Sequence, residues 1–290
     1  MTTKTVLLTG ASRGIGYLTA QTLAEAGHRV YAGMRELAGR NAETAATLSQ
    51  WAAERGLELI PVDLDVTDDG AVQSAVSMIE ARQPIDVLIN NAGVMPVGLT
   101  EAFTPADAQR CFEVNVLGAM RCTRAVLPFM RGRRAGQLIH LSSTAGRVAI
   151  PYFGLYCASK WALEGYAESL HYEIEGLGIR TTIVEPGGHR TDLVDNPPAP
   201  GDQNCLNSYD GMADGRDNLL QMFHSLFDRG EEINDAANVA RRIADLVASD
   251  GPAPLRAPVG DDMGLLRINA GTEEPQRDLI TALRPMIPAA

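Results

Sequence analysis

Residues 5–16, TVLLTGASRGIG, run from an apolar stretch straight into spaced glycines and then into an amphipathic segment. A strand that turns tightly into a helix admits few continuations, and the rest of the chain repeats the pattern. Strands are expected at TVLLT (5–9), HRVYAGM (28–34), LELIPVDL (57–64), IDVLINNAG (85–93, with its exit loop), GQLIHLSS (136–143) and IRTTIVEPGG (179–188). Helices are expected at 14–27, 40–55, 68–82, 105–131 and 154–176. Apolar strands separated by helices of a dozen or more residues need crossover connections, which give a parallel sheet covered on both faces. The expectation is one α/β domain over 1–290, doubly wound, with about seven strands. NPPAPGDQNCLNSYDGMADG (196–215) breaks the pattern with three prolines and three glycines. It reads as a mobile loop over the C-terminal edge of the sheet, within a substrate region spanning 188–230. The tail reads as a helix (235–249), a strand (256–259) and a last helix.

The formal net charge of −11 disfavours nucleic-acid and anionic-membrane partners, which reward basic patches. No run approaches the ~18 apolar residues that a membrane-spanning helix needs. The glycine loop begins too early for a secretory h-region, so no signal peptide is expected. Cys111, Cys122, Cys157 and Cys205 lack metal-ligand spacing and read as reduced thiols, so a cytoplasmic location is expected and no metal.

Gly10, Gly14 and Gly16 are spaced G-x-x-x-G-x-G at the first strand-to-helix junction. Glycines there permit a tight turn and close backbone approach to a pyrophosphate, whose charge the helix N-terminus favours. No Gly-Lys-Ser/Thr follows, so this is not a nucleoside-triphosphate loop. Arg13 lies in the glycine loop and Arg35 just past the second strand, where an acidic residue would contact a free ribose hydroxyl. Two guanidiniums suit a 2′-phosphate instead, so NADP(H) is preferred over NAD(H), although Glu36 follows directly. Asp65 is placed to accept from an adenine amino group, with Asp63 the competing choice. NNAG (90–93), containing Asn91, Ala92 and Gly93, is at least half a structural turn.

YCASKWALEGY (156–166) puts Lys160 one helical turn after Tyr156. Only two of the 25 basic residues are lysines, Lys4 and Lys160. A phenol with a pKa of ~10 is a poor proton shuttle near neutrality, and a cation beside it stabilises the phenolate. Closing a gap of ~3 units takes about 4 kcal/mol, within reach of a close cation and the nicotinamide charge in a dry pocket. Lysine, unlike arginine, can also trade its own proton. Ser143, at the end of the fifth strand, could hold a substrate carbonyl, while its neighbour Ser142 could point into the sheet. Asn115 lies mid-helix, with either a specific task or a satisfied buried amide. Val148, Ile150 and Phe153 suggest a partly apolar pocket. Arg147 reads as a surface residue and His189 as a loop histidine in water.

TGASRGIG, NNAG, VNVLG, SS before YCASK, and EPGG with Thr191 resemble, in order and spacing, the short-chain dehydrogenase/reductase family over residues 4 to 193. YCASKWALEGYAESL is similar to the branch with 17β-hydroxysteroid and retinol dehydrogenases. The resemblance implies a Rossmann-type fold, an Asn115–Ser143–Tyr156–Lys160 catalytic set and a small carbonyl or alcohol substrate. It implies a homodimer or homotetramer built through helices such as 105–131 and 154–176. It also implies dinucleotide contacts from Ser12, Ile15, Val66, Tyr156, Lys160, Pro186, Gly187 and Thr191, besides the residues above. Alternatives are a 3-oxoacyl-thioester reductase, for which RGRRAG (131–136) would be a carrier patch, and a non-catalytic NADP(H)-binding protein. A halohydrin dehalogenase would not need the glycine loop intact.

Overall fold

Buried apolar runs pair in register as a seven-stranded, all-parallel sheet of order β3-β2-β1-β4-β5-β6-β7. The structure is a computed structural model that describes residues 2–228, 232–249, 251–261 and 263–286. The strands are β1 (Thr5–Thr9), β2 (Arg29–Met34), β3 (Leu59–Asp63), β4 (Val87–Asn90), β5 (Gly136–Leu141), β6 (Ile179–Pro186) and β7 (Arg256–Val259). The principal helices are α1 (Gly14–Glu25), α2 (Ala42–Arg55), α3 (Asp69–Glu80), α4 (Pro105–Phe112), α5 (Ala119–Arg133) and α6 (Gly154–Ile174). After β6 come α7 (Asp192–Asp195), α8 (Gln203–Asn207), α9 (Gly215–Asp228), α10 (Ala237–Ala248) and, beyond β7, α11 (Leu265–Leu283).

Successive strand residues face opposite sides of a sheet, so one strand feeds two cores. Leu8, Ile89 and Ile139 pack with Leu23 of α1 and Ile243 and Val247 of α10 on one face. Leu7, Leu88 and Leu138 pack with Val76 and Ile79 of α3 and Val126 and Met130 of α5 on the other. Burial of both faces explains why these strands read as continuous apolar runs rather than as alternating ones.

The expected helix over 105–131 is interrupted. α4 starts on a Thr104/Asp107 capping box with Pro105 in its first turn. A π-helical stretch, Glu113–Gly118, then separates it from α5. Two tertiary contacts account for the extra residue in that turn. Asn115 bonds the backbone of Val94, its Oδ1 accepting from Val94 N at 2.8 Å and its Nδ2 donating to Val94 O at 2.9 Å. Gly118 lies so close to Val66 that a Cβ would sit 2.7 Å from its side chain.

The 196–215 segment lies over the groove side of the fold with contacts of its own. It carries α8 and is tied down by Val97 N to Pro198 O (3.1 Å), Asp202 N to Ala102 O (3.1 Å) and Gly201 N to Asp107 Oδ2 (3.1 Å). α9 follows, fixed at its start by Arg216, whose Nε donates to Val97 O at 2.9 Å. Residues 229 and 230, the end of the 188–230 region, lie outside the described residues.

Candidate active site

The C-terminal ends of β1, β4, β5 and β6 open into one groove of about 530 Å³. It is lined by Gly10, Ser12, Arg13, Gly14, Ile15, Gly16, Arg35, Asp65, Val66, Asn91, Ala92, Gly93, Ser143, Tyr156, Lys160, Pro186, Gly187 and Thr191. Every residue expected to contact a dinucleotide is therefore on this one surface. Asn115 is not, and stands buried behind it.

The phosphate end is built by backbone. Gly10 has φ +70°, and a Cβ on it would lie 2.7 Å from Ala92 Cα, so only glycine fits. Asn91 holds this turn in place: its Nδ2 donates to Thr9 O at 2.8 Å and to Gly10 O at 3.0 Å. Thr9 Oγ1 accepts from Asn91 N (3.0 Å) and Ala92 N (3.1 Å). The structural reading of NNAG accounts for these bonds. At the start of α1 no side chain caps the free N–H groups and no acidic residue occupies the first turn. A bare helix N-terminus behind a cradle that a Cβ would fill fits a pyrophosphate.

At the far end, Arg13 and Arg35 are exposed and are joined by Arg40, Asn41 and Thr44. Sequence reasoning had no signal for these last three. Glu36 takes a left-handed conformation (φ 54°) and pairs with Arg40 at 3.7 Å, off the groove wall. Asp65 lines the groove, its Oδ1 accepting from Thr67 N (2.9 Å) and Oγ1 (2.7 Å). Asp63 is exposed and off the wall.

At the chemical end, α6 presents Tyr156 and Lys160 on its buried face. Lys160 Nζ donates to Leu141 O at 2.8 Å and lies 5.7 Å from the centre of the Tyr156 ring. Burial pushes the Tyr156 phenol up, offset in part by the neighbouring Ser143 hydroxyl. Burial also lowers Lys160 to about 8, opposed by Cys111 and Glu164. The phenol is therefore neutral, and desolvation rather than the adjacent amine sets its protonation. Asn115 reaches α6 as well: its Nδ2 bonds Ser159 Oγ at 2.9 Å, and Ser159 Oγ donates to Tyr156 O at 2.8 Å. Ser142, as its alternation with Ser143 suggested, points the other way, donating to Glu164 Oε1 at 2.6 Å.

One expectation fails here. His189 is not in water: it is 5% exposed, its Nδ1 lies 3.1 Å from Gly187 O, and it lines the groove. Gly260, far along the chain, packs against its ring. Arg147 is half-exposed, and α11 holds it: its Nε donates to Asn269 Oδ1 (3.1 Å) and its Nη2 to Thr272 Oγ1 (2.7 Å). The substrate side also includes Phe223 and Phe227 of α9, stacked with centroids 6.1 Å apart, and Phe153, edge-on to Phe223. The i, i+4 spacing of Phe223 and Phe227 in LLQMFHSLF was the signal available for α9.

This fold, with a groove at the C-terminal strand ends, is that of a family of α/β oxidoreductases. The sequence profile described as short chain dehydrogenase matches residues 4–199, and the chain belongs to that family. It is 38% identical to a 3-ketodihydrosphingosine reductase of Bacteroides thetaiotaomicron over 66% of this chain and 66% of that one. It is 35% identical to retinol dehydrogenase 8 of Bos taurus over 87% of this chain and 80% of the other. A crystal structure of a short-chain dehydrogenase from Streptomyces avermitilis superposes with a TM-score of 0.75 at 29% identity, covering 98% of each chain.

Proposed function

We propose that this protein is an NADP(H)-dependent oxidoreductase interconverting a carbonyl compound and a secondary alcohol, with Tyr156 as the general acid and base. The observation that carries this reading is a neutral, buried phenol one helical turn from a buried ammonium, in the groove that also holds Ser143 and the glycine cradle. A dinucleotide bound to that cradle would supply or accept the hydride. Ser143 orients the carbonyl oxygen, and Tyr156 hands it a proton. Lys160 steadies the phenolate left behind, and its lowered pKa lets it pass a proton on. Asn115 and Ser159 fix the α6 backbone from which Tyr156 projects.

Phe153, Phe223, Phe227, Ile150 and Val194 form the substrate wall, which suits an apolar carbonyl compound. The names of the reductase and retinol dehydrogenase relatives are compatible with a lipid-like substrate. A carrier-borne thioester is less well served. Arg133 is paired with Glu80 at 2.8 Å, and Arg134 donates to Gly176 O at 2.8 Å, both just before the N-terminal end of β5 and so at the opposite edge of the sheet. Among the described residues no helix is long and apolar enough to cross a membrane. Leu117, Phe129 and Trp161 stand exposed on the faces expected to pair copies of the chain, where we place a homo-oligomer contact.

The cofactor reading is tested at Arg35. Arg35→Asp places a carboxylate where a 2′-phosphate would lie. It should raise the KM for NADPH by about 10- to 100-fold, as expected for losing a charge-assisted contact and adding repulsion, and improve use of NADH. Steady-state kinetics with both cofactors measure this, and an unchanged NADPH/NADH ratio would refute Arg35 as the discriminator.

A further inference from the structure

Beneath the catalytic end lies a charged cluster that the reaction as described does not use. Arg256 of β7 faces three buried carboxylates. Its guanidinium bonds Glu164, Glu185 Oε1 (2.9 Å) and Glu168 Oε2 (2.8 Å). Each carboxylate gives one oxygen to Arg256 and the other to a neutral donor. Glu164 Oε1 accepts from Ser142 Oγ at 2.6 Å, Glu185 Oε2 from Asn269 Nδ2 at 2.9 Å, and Glu168 Oε1 from the Tyr172 hydroxyl at 3.2 Å. Burial and the neighbouring Glu164 push Glu185 up to about 7, so it is partly protonated at neutral pH, but Glu164 and Glu168 still outnumber the one guanidinium, a costly arrangement if it served packing alone.

The cluster joins the elements that carry the chemistry. Ser142 precedes Ser143, Glu164 lies one turn beyond Lys160, and Glu185 precedes Pro186 and Gly187. The fit is tight: a Cβ on Gly146 would collide with Glu164 Oε1 and come within 2.6 Å of Ser142 Oγ. Asn269 also accepts from Arg147, which follows that turn.

We infer that Glu164 is a positioning residue for this reaction: it fixes the Ser142–Ser143 strand end by hydrogen bond and sets a carboxylate one helical turn beyond Lys160. The inference rests on the proton-transfer roles proposed above for Tyr156 and Lys160. The other ionisable groups facing that pair are Cys111 from α4 and Cys157 on α6; those facing Glu164 are Arg256 from β7, Glu185 from β6 and Glu168 on α6. Cys111 and Cys157 are both held as neutral thiols by burial, so Glu164 is the carboxylate acting on Lys160. Removing its negative charge makes the surroundings of Lys160 more positive, and Lys160 then loses its proton at lower pH.

The test is the pH profile of kcat/KM for carbonyl reduction, followed as NADPH oxidation. Glu164→Gln keeps an acceptor for Ser142 but not the charge, and should move the alkaline limb about half a unit or more toward lower pH. Glu164→Asp keeps the charge and should leave the limb in place even if kcat falls. An unmoved limb in Glu164→Gln overturns the inference. If that variant does not fold, Ser142→Ala tests the hydrogen bond alone: about a fivefold or larger fall in kcat, with the limb unmoved, supports it, and a wild-type kcat overturns it. Turnover retained by Tyr156→Phe would instead sink the underlying assignment, so the two failures are separable.

Discussion

Tyr156→Phe should lower kcat for carbonyl reduction by about 10³-fold or more, near the upper part of the range for losing a general acid, while NADPH still binds. The substitution removes one oxygen and leaves the ring. That ring packs edge-on to Phe153, 6.1 Å between centroids, within an apolar cluster, so the fold should tolerate it. Phenylalanine cannot give a proton to the nascent alkoxide. The nearest alternative donor, Lys160, has its Nζ turned to Leu141 O. The expected result is therefore unchanged NADPH binding by fluorescence titration together with near-complete loss of turnover. It also separates an enzyme from a dinucleotide-binding protein that needs only the glycines. Turnover within tenfold of wild type would mean that another group donates the proton.

The pH behaviour of the groove bears on direction. A phenol pushed up by burial is in its donor form at neutral pH, as reduction requires. Lys160, lowered to about 8, keeps its charge below that value and loses it above. Reduction should accordingly hold its rate through neutrality and decline on the alkaline side.

The sheet was legible because each face must be filled. Leu7 and Leu8 feed opposite cores, so β1 reads as an uninterrupted apolar run, and the crossover helices between such runs allow little but a parallel sheet. The phosphate cradle was legible for a local reason, since Gly10 takes a left-handed turn (φ +70°) that favours glycine. What escaped was set by residues distant in sequence. The π-turn at Glu113–Gly118 depends on Asn115 reaching Val94, and helical periodicity alone does not register one inserted residue. Gly260 packs against the His189 ring, and α11 holds Arg147. The Glu164–Glu168–Glu185–Arg256 cluster is assembled by β6 pairing with β7 in parallel, with Glu185 opposite Pro258, which the separate segments do not announce. The desolvation that sets the protonation of Tyr156 is likewise a property of the packed site.

Lys160→Arg should cost about 10²-fold in kcat/KM, a typical loss when a proton-transfer partner is impaired, although formal charge is conserved. The arginine-rich composition makes this the informative substitution, because the chain uses lysine in only two places. Lys160 is 4% exposed, and its ammonium is seated on Leu141 O at 2.8 Å, beside Gly93. A guanidinium brings a planar fork of five donors into a site shaped for a compact ammonium, and overpacking of this kind costs about 1–3 kcal/mol. The electrostatic loss is the more specific one. Arginine stays protonated under all working conditions, whereas the buried amine titrates near 8 and can exchange its proton. Thermal melting separates the two contributions, since overpacking lowers Tm and relay failure does not. Stopped-flow turnover with saturating NADPH should show a slowed chemical step, and the alkaline limb that follows Lys160 should vanish from the pH profile. A near-normal rate with an unaltered limb would show that only the positive charge matters, and the lysine would then have no role that an arginine could not fill.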